Sequence, residues 1–222
     1  MPRSKPTRNS APDSEPRESP ESSADSPTAR RSPMRLGVEE RRRQLLDLGK
    51  KLFAEHAYDE LSTDQLARLA GVSAGLLYHY FPSKRDYYVA TIAEVAHQVS
   101  EDTAPIAGAT PREAVHRSLD SFVRFVEENE RLYRALVTGG IGSDRDVHAI
   151  LQGLRDRSAG RVIEVLGITT PSSRQLLAAF GWIGFIEFAC LKWVESPSLS
   201  REKLLQILEH SLFSLMGSIL DS

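Results

Sequence analysis

The chain is short of several features that would define its class at once. It has one cysteine among 222 residues, Cys190, so an internal disulfide is excluded and a thiolate metal site is not expected. Its formal net charge is only −2, so no overall positive charge points to nucleic acid. The polar, Pro- and Ser-rich N-terminus does not resemble a signal peptide. These absences indicate a soluble protein in a reducing cytoplasm.

A long uninterrupted apolar run is also missing. The longest one, residues 176–194, is interrupted by Glu187 and Lys192. A membrane-spanning helix needs about 20 predominantly apolar residues with few or no charges. We therefore predict no membrane association.

Residues 1–35 differ in composition from the remainder. They contain seven prolines and eight serines and almost no large apolar side chains. Burying so little apolar surface could not offset the conformational entropy lost when the segment becomes ordered. We predict a disordered tail. Arg30, Arg31 and Arg35 lie at its end, where they could enter a minor groove as a flexible arm; the alternative is a solvated tail without contacts.

The rest of the chain shows helical periodicity with clear helix starts and stops, and no convincing strand pairs. We predict helices over residues 39–56, 84–101, 111–129, 131–138, 144–166, 170–194 and 201–221. The predicted fold class is all-α. The predicted domains are a helix-turn-helix unit over residues 36–83 and a helical effector-binding and dimerisation domain over residues 84–222.

Residues 61–86 carry the most specific pattern, a short helix, a tight turn and a second short helix. Ser62 and Gln65 have the spacing of a capping box. Gly71 ends the first helix, and Ser73 can cap the next, which Pro82 stops. Two short helices joined by a Gly-containing turn are typical of a DNA-binding helix-turn-helix.

The same stretch resembles the DNA-binding signature of the tetracycline-repressor (TetR) family of transcription regulators, over roughly residues 38–88. The matching residues are Leu66, Ala67, Ala70, Gly71, Val72, Ser73, Gly75, Leu77, Tyr78, Tyr80, Phe81 and Lys84. The family pattern often has Lys after Ser73 and Thr before Leu77, where this chain has Ala74 and Leu76. Base reading would then depend more on methyl contacts to thymine and on DNA shape.

The resemblance implies which residues meet DNA. Tyr78 and Lys84 would contact phosphates, and the helix start at Ser62 and Thr63 would offer backbone amides to phosphate. The residues nearest the groove would be Ser73, Ala74, Gly75, Leu76 and His79. The partner would be double-stranded operator DNA.

The last two predicted helices have more apolar surface than one domain needs. Residues 176–194 are apolar nearly all round, and the final helix has a wide apolar face. A homodimer through a four-helix interface would cover this surface, and the family arrangement implies the same. The alternative is a fully internal core.

Large apolar residues on four C-terminal helices indicate a cavity for a small apolar or aromatic effector. The candidate lining residues are Phe122, Phe125, Tyr133, Leu136, Leu154, Trp182 and Phe185, with Arg157 and Glu187 as polar anchors. The alternative is that the apolar ones simply fill a core.

The predicted function is a ligand-responsive transcriptional regulator, a repressor released from a palindromic operator by its effector. We predict no cofactor, no metal site and no enzymatic activity. A helix-turn-helix regulator without effector and a helical-bundle enzyme stay open as alternatives.

Overall fold

The computed structural model describes residues 37–138, 144–196 and 198–220; the predicted tail 1–35 lies outside them. These residues form a 3₁₀ turn and nine α-helices, without a strand. The helices are α1 (Val38–Glu55), α2 (Thr63–Leu69), α3 (Ala74–Tyr80), α4 (Lys84–Asp102), α5 (Pro111–Glu128), α6 (Glu130–Thr138), α7 (Arg145–Val165), α8 (Ser173–Glu195) and α9 (Arg201–Leu220). The all-α prediction is confirmed.

The α2–turn–α3 segment forms from local signals. Ser62 accepts a 3.2 Å hydrogen bond from the Gln65 amide, and its own amide donates to Gln65 Oε1 at 2.7 Å. Gly71 has a φ of +65°, a left-handed conformation that glycine adopts without steric cost. Ser73 caps α3 by accepting from the amide of Leu76 at 3.1 Å. The predicted capping residues and turn are confirmed.

A first apolar core holds α1, α2, α3 and the first half of α4 together. Gly49 lets α1 approach α4 closely, because a Cβ there would lie 2.5 Å from Thr91 Oγ1. Beside it, the Tyr87 hydroxyl donates a 2.5 Å hydrogen bond to the Leu45 carbonyl. This core continues past residue 84, with buried residues from α4, α6 and α7 that include Ile92, Leu132 and Val147. The helix-turn-helix unit is therefore built on α4.

A second apolar core lies among α5, α6, α7, α8 and α9. Val123, Trp182 and Leu208 are among its buried residues. The Trp182 indole N–H donates to the Leu208 carbonyl at 3.2 Å and to Ser211 Oγ at 3.0 Å, which fixes α8 against α9. The C-terminal half thus has a scaffold of its own that reaches the helix-turn-helix unit through α4, α6 and α7.

One predicted helix boundary is wrong in position. The helix expected from Thr170 and Pro171 begins at Ser173. Ser172 accepts from the Gln175 amide at 3.3 Å and donates its own amide to Gln175 Oε1 at 2.8 Å. This capping box competes successfully with the Thr-Pro start signal.

Within the described part of the chain, α8 alone is long and apolar enough to cross a membrane by length and composition. Its Ala179, Trp182, Ile186 and Cys190 side chains are buried in the second core. Its opposite side is apolar and exposed, with Leu177 73% exposed.

Candidate nucleic-acid interface and ligand cavity

The α3 helix presents one side to solvent and anchors the other in the first core. Leu77 is 1% exposed and Phe81, which follows the helix, is 3% exposed. On the outer side Gly75 and His79 are exposed, and Tyr78 is 47% exposed. A short helix held by a buried anchor and showing polar and small residues outward has the geometry for insertion into a groove.

The remaining predicted groove residues surround this exposed side. Ser73 is exposed, and Ala74 and Leu76 are half-buried at the front of α3. A Cβ added at Gly75 would meet no atom within 4 Å, so the helix front is open to a close approach. The N-terminal end of α2 is also accessible, with Ser62 exposed and Thr63 half-buried.

Lys84 is positioned differently from the other predicted contacts. Its ammonium group donates to the carbonyls of Tyr58 and Leu61, at 3.0 and 2.9 Å, and lies 4.0 Å from the centre of the Tyr58 ring. The side chain therefore fastens the start of α4 to the turn that precedes α2. An ammonium group has three N–H donors, so a phosphate contact would have to use the third.

Basic side chains on α1 lie near the same region. The Arg42 guanidinium stacks over the Phe81 ring, 5.5 Å from its centre. Arg43 is exposed, and Arg41 bonds to Gln44 in its own helix. Arg42 therefore supplies positive charge at the end of α3 although the domain is neutral in total.

A cavity of about 100 Å³ lies between α4, α5, α7 and α8. Its walls are mostly apolar. The lining residues are Val99, Thr103, Pro105, Val115, Ser118, Leu119, Phe122, Leu154, Arg155, Ser158, Arg161, Val162, Val165, Trp182, Ile183, Ile186 and Glu187.

Four of the predicted pocket residues line this cavity: Phe122, Leu154, Trp182 and Glu187. The other five do not. Tyr133 and Leu136 are buried in the cores. Phe125 lines a separate, more polar cleft between α1, α4 and α5, and Phe185 is 44% exposed.

Arg157, the fifth, is exposed on α7 and does not line the cavity. The polar lining residues of that helix are Arg155, Ser158 and Arg161 instead. Successive residues are about 100° apart around a helix, so Arg157 points away from the face that Arg155 presents. The lining residues at positions 155, 158, 161, 162 and 165 recur with the spacing of one helix face. This periodicity is the signal in the sequence that could have identified them.

The two arginines of α7 that line the cavity bind different partners. Arg155 Nε donates to both carboxylate oxygens of Glu187, at 2.9 and 3.0 Å. Arg161 donates from Nη1 to the carbonyl oxygen of Ser100 at 2.5 Å and from Nη2 to its hydroxyl at 3.1 Å. One site joins α7 to α8 and the other joins α7 to α4.

The described ranges contain no group of three or more His, Cys, Asp or Glu side chains that could hold a metal ion. Burial raises the pKa of the Cys190 thiol to about 12, so it is protonated at neutral pH and unsuited to nucleophilic attack.

Two family profiles match the chain. Residues 45–97 match the family described as bacterial regulatory proteins, tetR family. Residues 111–215 match the tetracyclin repressor-like C-terminal domain. The two matches together span most of the chain and both halves of the fold.

A curated relative is also a helix-turn-helix transcription regulator. The HTH-type transcriptional activator FasR of Mycolicibacterium smegmatis is 27% identical over 134 residues, which are 60% of this chain and 61% of FasR. The chain therefore spans less than two thirds of this curated relative.

Solved structures cover more of the fold. A tetR-family transcriptional regulator from Streptomyces coelicolor has a TM-score of 0.76 at 29% identity, covering 82% of this chain and 83% of that one. The regulator FadR from Bacillus subtilis, in complex with stearoyl-CoA, has a TM-score of 0.60 at 21% identity, covering 78% and 96%. The family and these relatives are transcription regulators, not enzymes. With both profiles and the fold in agreement, the chain belongs to the TetR family of bacterial transcription regulators.

Proposed function

We propose that this protein is a homodimeric, cytoplasmic transcription regulator that binds a roughly palindromic operator and is released from it by a small, largely apolar effector. The observation that carries this proposal is the exposed face of α3, with Gly75, Tyr78 and His79 outward over the buried anchor Leu77. The family assignment supports the same function.

In this proposal α3 enters the major groove with its first turn against base edges. Ser73, Tyr78 and His79 offer the polar groups of this face, whereas Ala74, Gly75 and Leu76 offer only close approach and apolar contact. Sequence selection would then rest on thymine methyl groups and on DNA shape as well as on hydrogen bonds. Arg42, whose guanidinium lies over Phe81, would supply positive charge for the phosphates.

Dimerisation would use the outer faces of α8 and α9. Phe188 on α8 is 65% exposed and Ile207 on α9 is 46% exposed, and contiguous exposed apolar surface commonly marks an interface. Added Cβ atoms at Gly181 and Gly184 would meet nothing within 4 Å, so a partner helix has room to approach. A two-fold axis there would place the recognition helices in successive major grooves, about 34–36 Å apart.

The effector would occupy the cavity between α4, α5, α7 and α8. Its volume of about 100 Å³ is below the roughly 150 Å³ of an engineered cavity that binds benzene. A larger effector must therefore separate these helices. The B. subtilis relative FadR was solved in complex with stearoyl-CoA, a compound with a long apolar chain, which supports an effector of this chemical class.

Such opening gives the effector a different affinity for two conformations, which is the requirement for control of DNA binding. We take α4 to be the connecting element, because it borders the cavity with Val99 and carries the first core with Tyr87. Whether release from DNA represses or activates a gene depends on where the operator lies. The small size of the cavity favours one second candidate, a regulator that binds DNA without any effector.

The test is selection of bound fragments from a random-sequence duplex library, using the wild type and a Tyr78→Ala/His79→Ala variant. We expect the wild type to enrich inverted repeats whose half-sites lie one helical turn apart, and the variant to enrich none. Unselective enrichment by both proteins would contradict operator recognition through α3. Titration of a selected operator complex with apolar compounds then separates the two candidates, because only the effector-responsive regulator dissociates.

A further inference from the structure

The two arginines that line the cavity differ in how their charges are compensated. The guanidinium of Arg155 is neutralised by the carboxylate of Glu187, 2.9 Å away, and donates a further bond to Gln152 at 2.6 Å. For Arg161, the residues that the structure describes provide no carboxylate partner, only the uncharged Ser100. The cavity wall therefore carries one uncompensated positive charge.

The remaining polar wall residues do not alter this balance, since Thr103, Ser118 and Ser158 are uncharged. The Thr103 hydroxyl donates to the Val99 carbonyl at 2.7 Å, and the Ser118 hydroxyl lies 2.9 Å from the carbonyl of Thr103. A guanidinium has five N–H donors, so Arg161 keeps others for a ligand after bonding to Ser100.

The geometry points to an effector with an apolar body and a single anionic head, a carboxylate or a phosphate, that binds Arg161. This inference rests on the proposed function in one respect, that the cavity is the effector site. Arg155 lies six residues from Arg161, about 9 Å along the helix axis. The head would sit at the Arg161 end, and the body would extend between Leu119 and Trp182 toward the neutral pair.

Binding of such a head would also act on α4. An anion accepts charge-assisted hydrogen bonds more strongly than a neutral carbonyl does, so an anionic head bound to the remaining donors would draw the Arg161 guanidinium toward itself and weaken its bonds to Ser100. Ser100 lies in the last turn of α4, and this contact ties that end of α4 to α7. The anionic head would therefore loosen α4, whose first residue, Lys84, follows α3 by a short turn.

The experiment compares three ten-carbon probes, decanoate, decyl phosphate and decanol, by isothermal titration calorimetry. The proteins are the full-length wild type, Arg161→Gln, Arg161→Lys, and the matched control Arg157→Gln, whose side chain lies on the same helix outside the cavity. Circular dichroism melting verifies that each variant is folded.

We expect at least one anionic probe to bind the wild type at least tenfold more tightly than decanol. Arg161→Gln should lose this preference, Arg161→Lys should keep part of it because it keeps the charge, and Arg157→Gln should keep all of it. Whether decanoate or decyl phosphate binds more tightly identifies the head.

Three results would overturn the inference: equal binding of anions and decanol by the wild type, an undiminished preference in Arg161→Gln, or no binding of either anion. Operator binding, measured separately on the same proteins, keeps the two proposals apart. If decanol alone releases operator DNA, the regulator function stands and the anionic head is wrong.

Discussion

Arg85, the second residue of α4, donates from Nε and Nη2 to the two carboxylate oxygens of Asp144, at 2.7 and 2.9 Å. Asp144 is also the N-cap of α7. At the other end of α4, Arg161 of α7 bonds to Ser100. The helix between the DNA-binding unit and the cavity is therefore hydrogen-bonded to α7 at both ends, so a ligand that displaces α7 also acts on α4.

The Arg85–Asp144 pair predicts a pH-dependent stability. Hydrogen bonds from Arg85 hold the pKa of Asp144 below its ordinary value of 3.8. A depressed folded-state pKa gives stability that is fully present above the unfolded-state value and is lost as the pH falls through the folded-state value. Asp144→Asn removes the charge and keeps a good N-cap. Urea unfolding should find it less stable than the wild type at pH 6, and the difference should shrink below pH 3.8.

The matched control for that measurement is Asp156→Asn, an exposed position on the same helix. It should leave the free energy of unfolding nearly unchanged at both pH values. A stability difference for Asp144→Asn that is independent of pH would show that the ion pair is not its source.

Lys84 predicts a loss of stability that is independent of DNA. Hydrogen bonds to charged groups contribute about 1.5–3 kcal/mol, and Lys84→Met removes two of them while keeping most of the side-chain stem. Because both bonds are only part-buried, we expect their combined loss to be smaller than that of two fully buried bonds, and the free energy of unfolding to fall by about 1.5–3 kcal/mol in total in urea titrations. Lys51→Met, at an exposed position on α1, should change it little. Equal stability of the two variants would refute the structural role of Lys84.

Two glycines predict opposite effects of one added methyl group. Gly49→Ala should destabilise the fold by about 1–3 kcal/mol through overpacking, because the new Cβ would lie 2.5 Å from Thr91 Oγ1. Gly75→Ala has open space and should stabilise α3 by up to about 1 kcal/mol, yet weaken operator binding by crowding the groove. Thermal unfolding and operator titrations check both. A Gly75→Ala protein with undiminished DNA affinity would show that α3 does not approach the bases at this residue.

The exposed face of α8 predicts the oligomeric state. Phe188→Asp places a charge in the proposed interface, and central interface residues contribute roughly 2 kcal/mol or more, which is about thirtyfold in Kd. Sedimentation velocity across a concentration series should show the wild type as a dimer and the variant shifted toward monomer. Ile106→Asp, in the loop after α4 and 54% exposed, should remain dimeric. Monomeric wild type would contradict the two-fold arrangement.

The sequence predicted correctly those parts of the fold that depend on contacts between residues close together along the chain. Ser62, Gly71 and Ser73 act within three or four residues of their own positions, so the helix-turn-helix could be read directly. The role of Lys84 could not, because its partner carbonyls at Tyr58 and Leu61 lie 26 and 23 residues away.

The cavity residues were likewise only partly predictable, because the cavity depends on contacts between residues far apart along the chain. Phe122 and Trp182 were found by size, but size does not tell which face a helix turns inward, and Arg157 was chosen over Arg155 for that reason. The Arg161–Ser100 bond joins residues 61 positions apart, and only the packing of α7 on α4 brings them together.

The most direct test of the account is operator affinity measured by fluorescence anisotropy across a salt series, for the wild type, Tyr78→Ala and the surface control His97→Ala. His97 is exposed on α4, away from the face of α3. We predict that the wild-type affinity falls steeply with salt. Tyr78→Ala should bind about tenfold or more weakly than the wild type without loss of stability, and His97→Ala should bind like the wild type. Identical affinities for all three proteins would contradict recognition through the exposed face of α3.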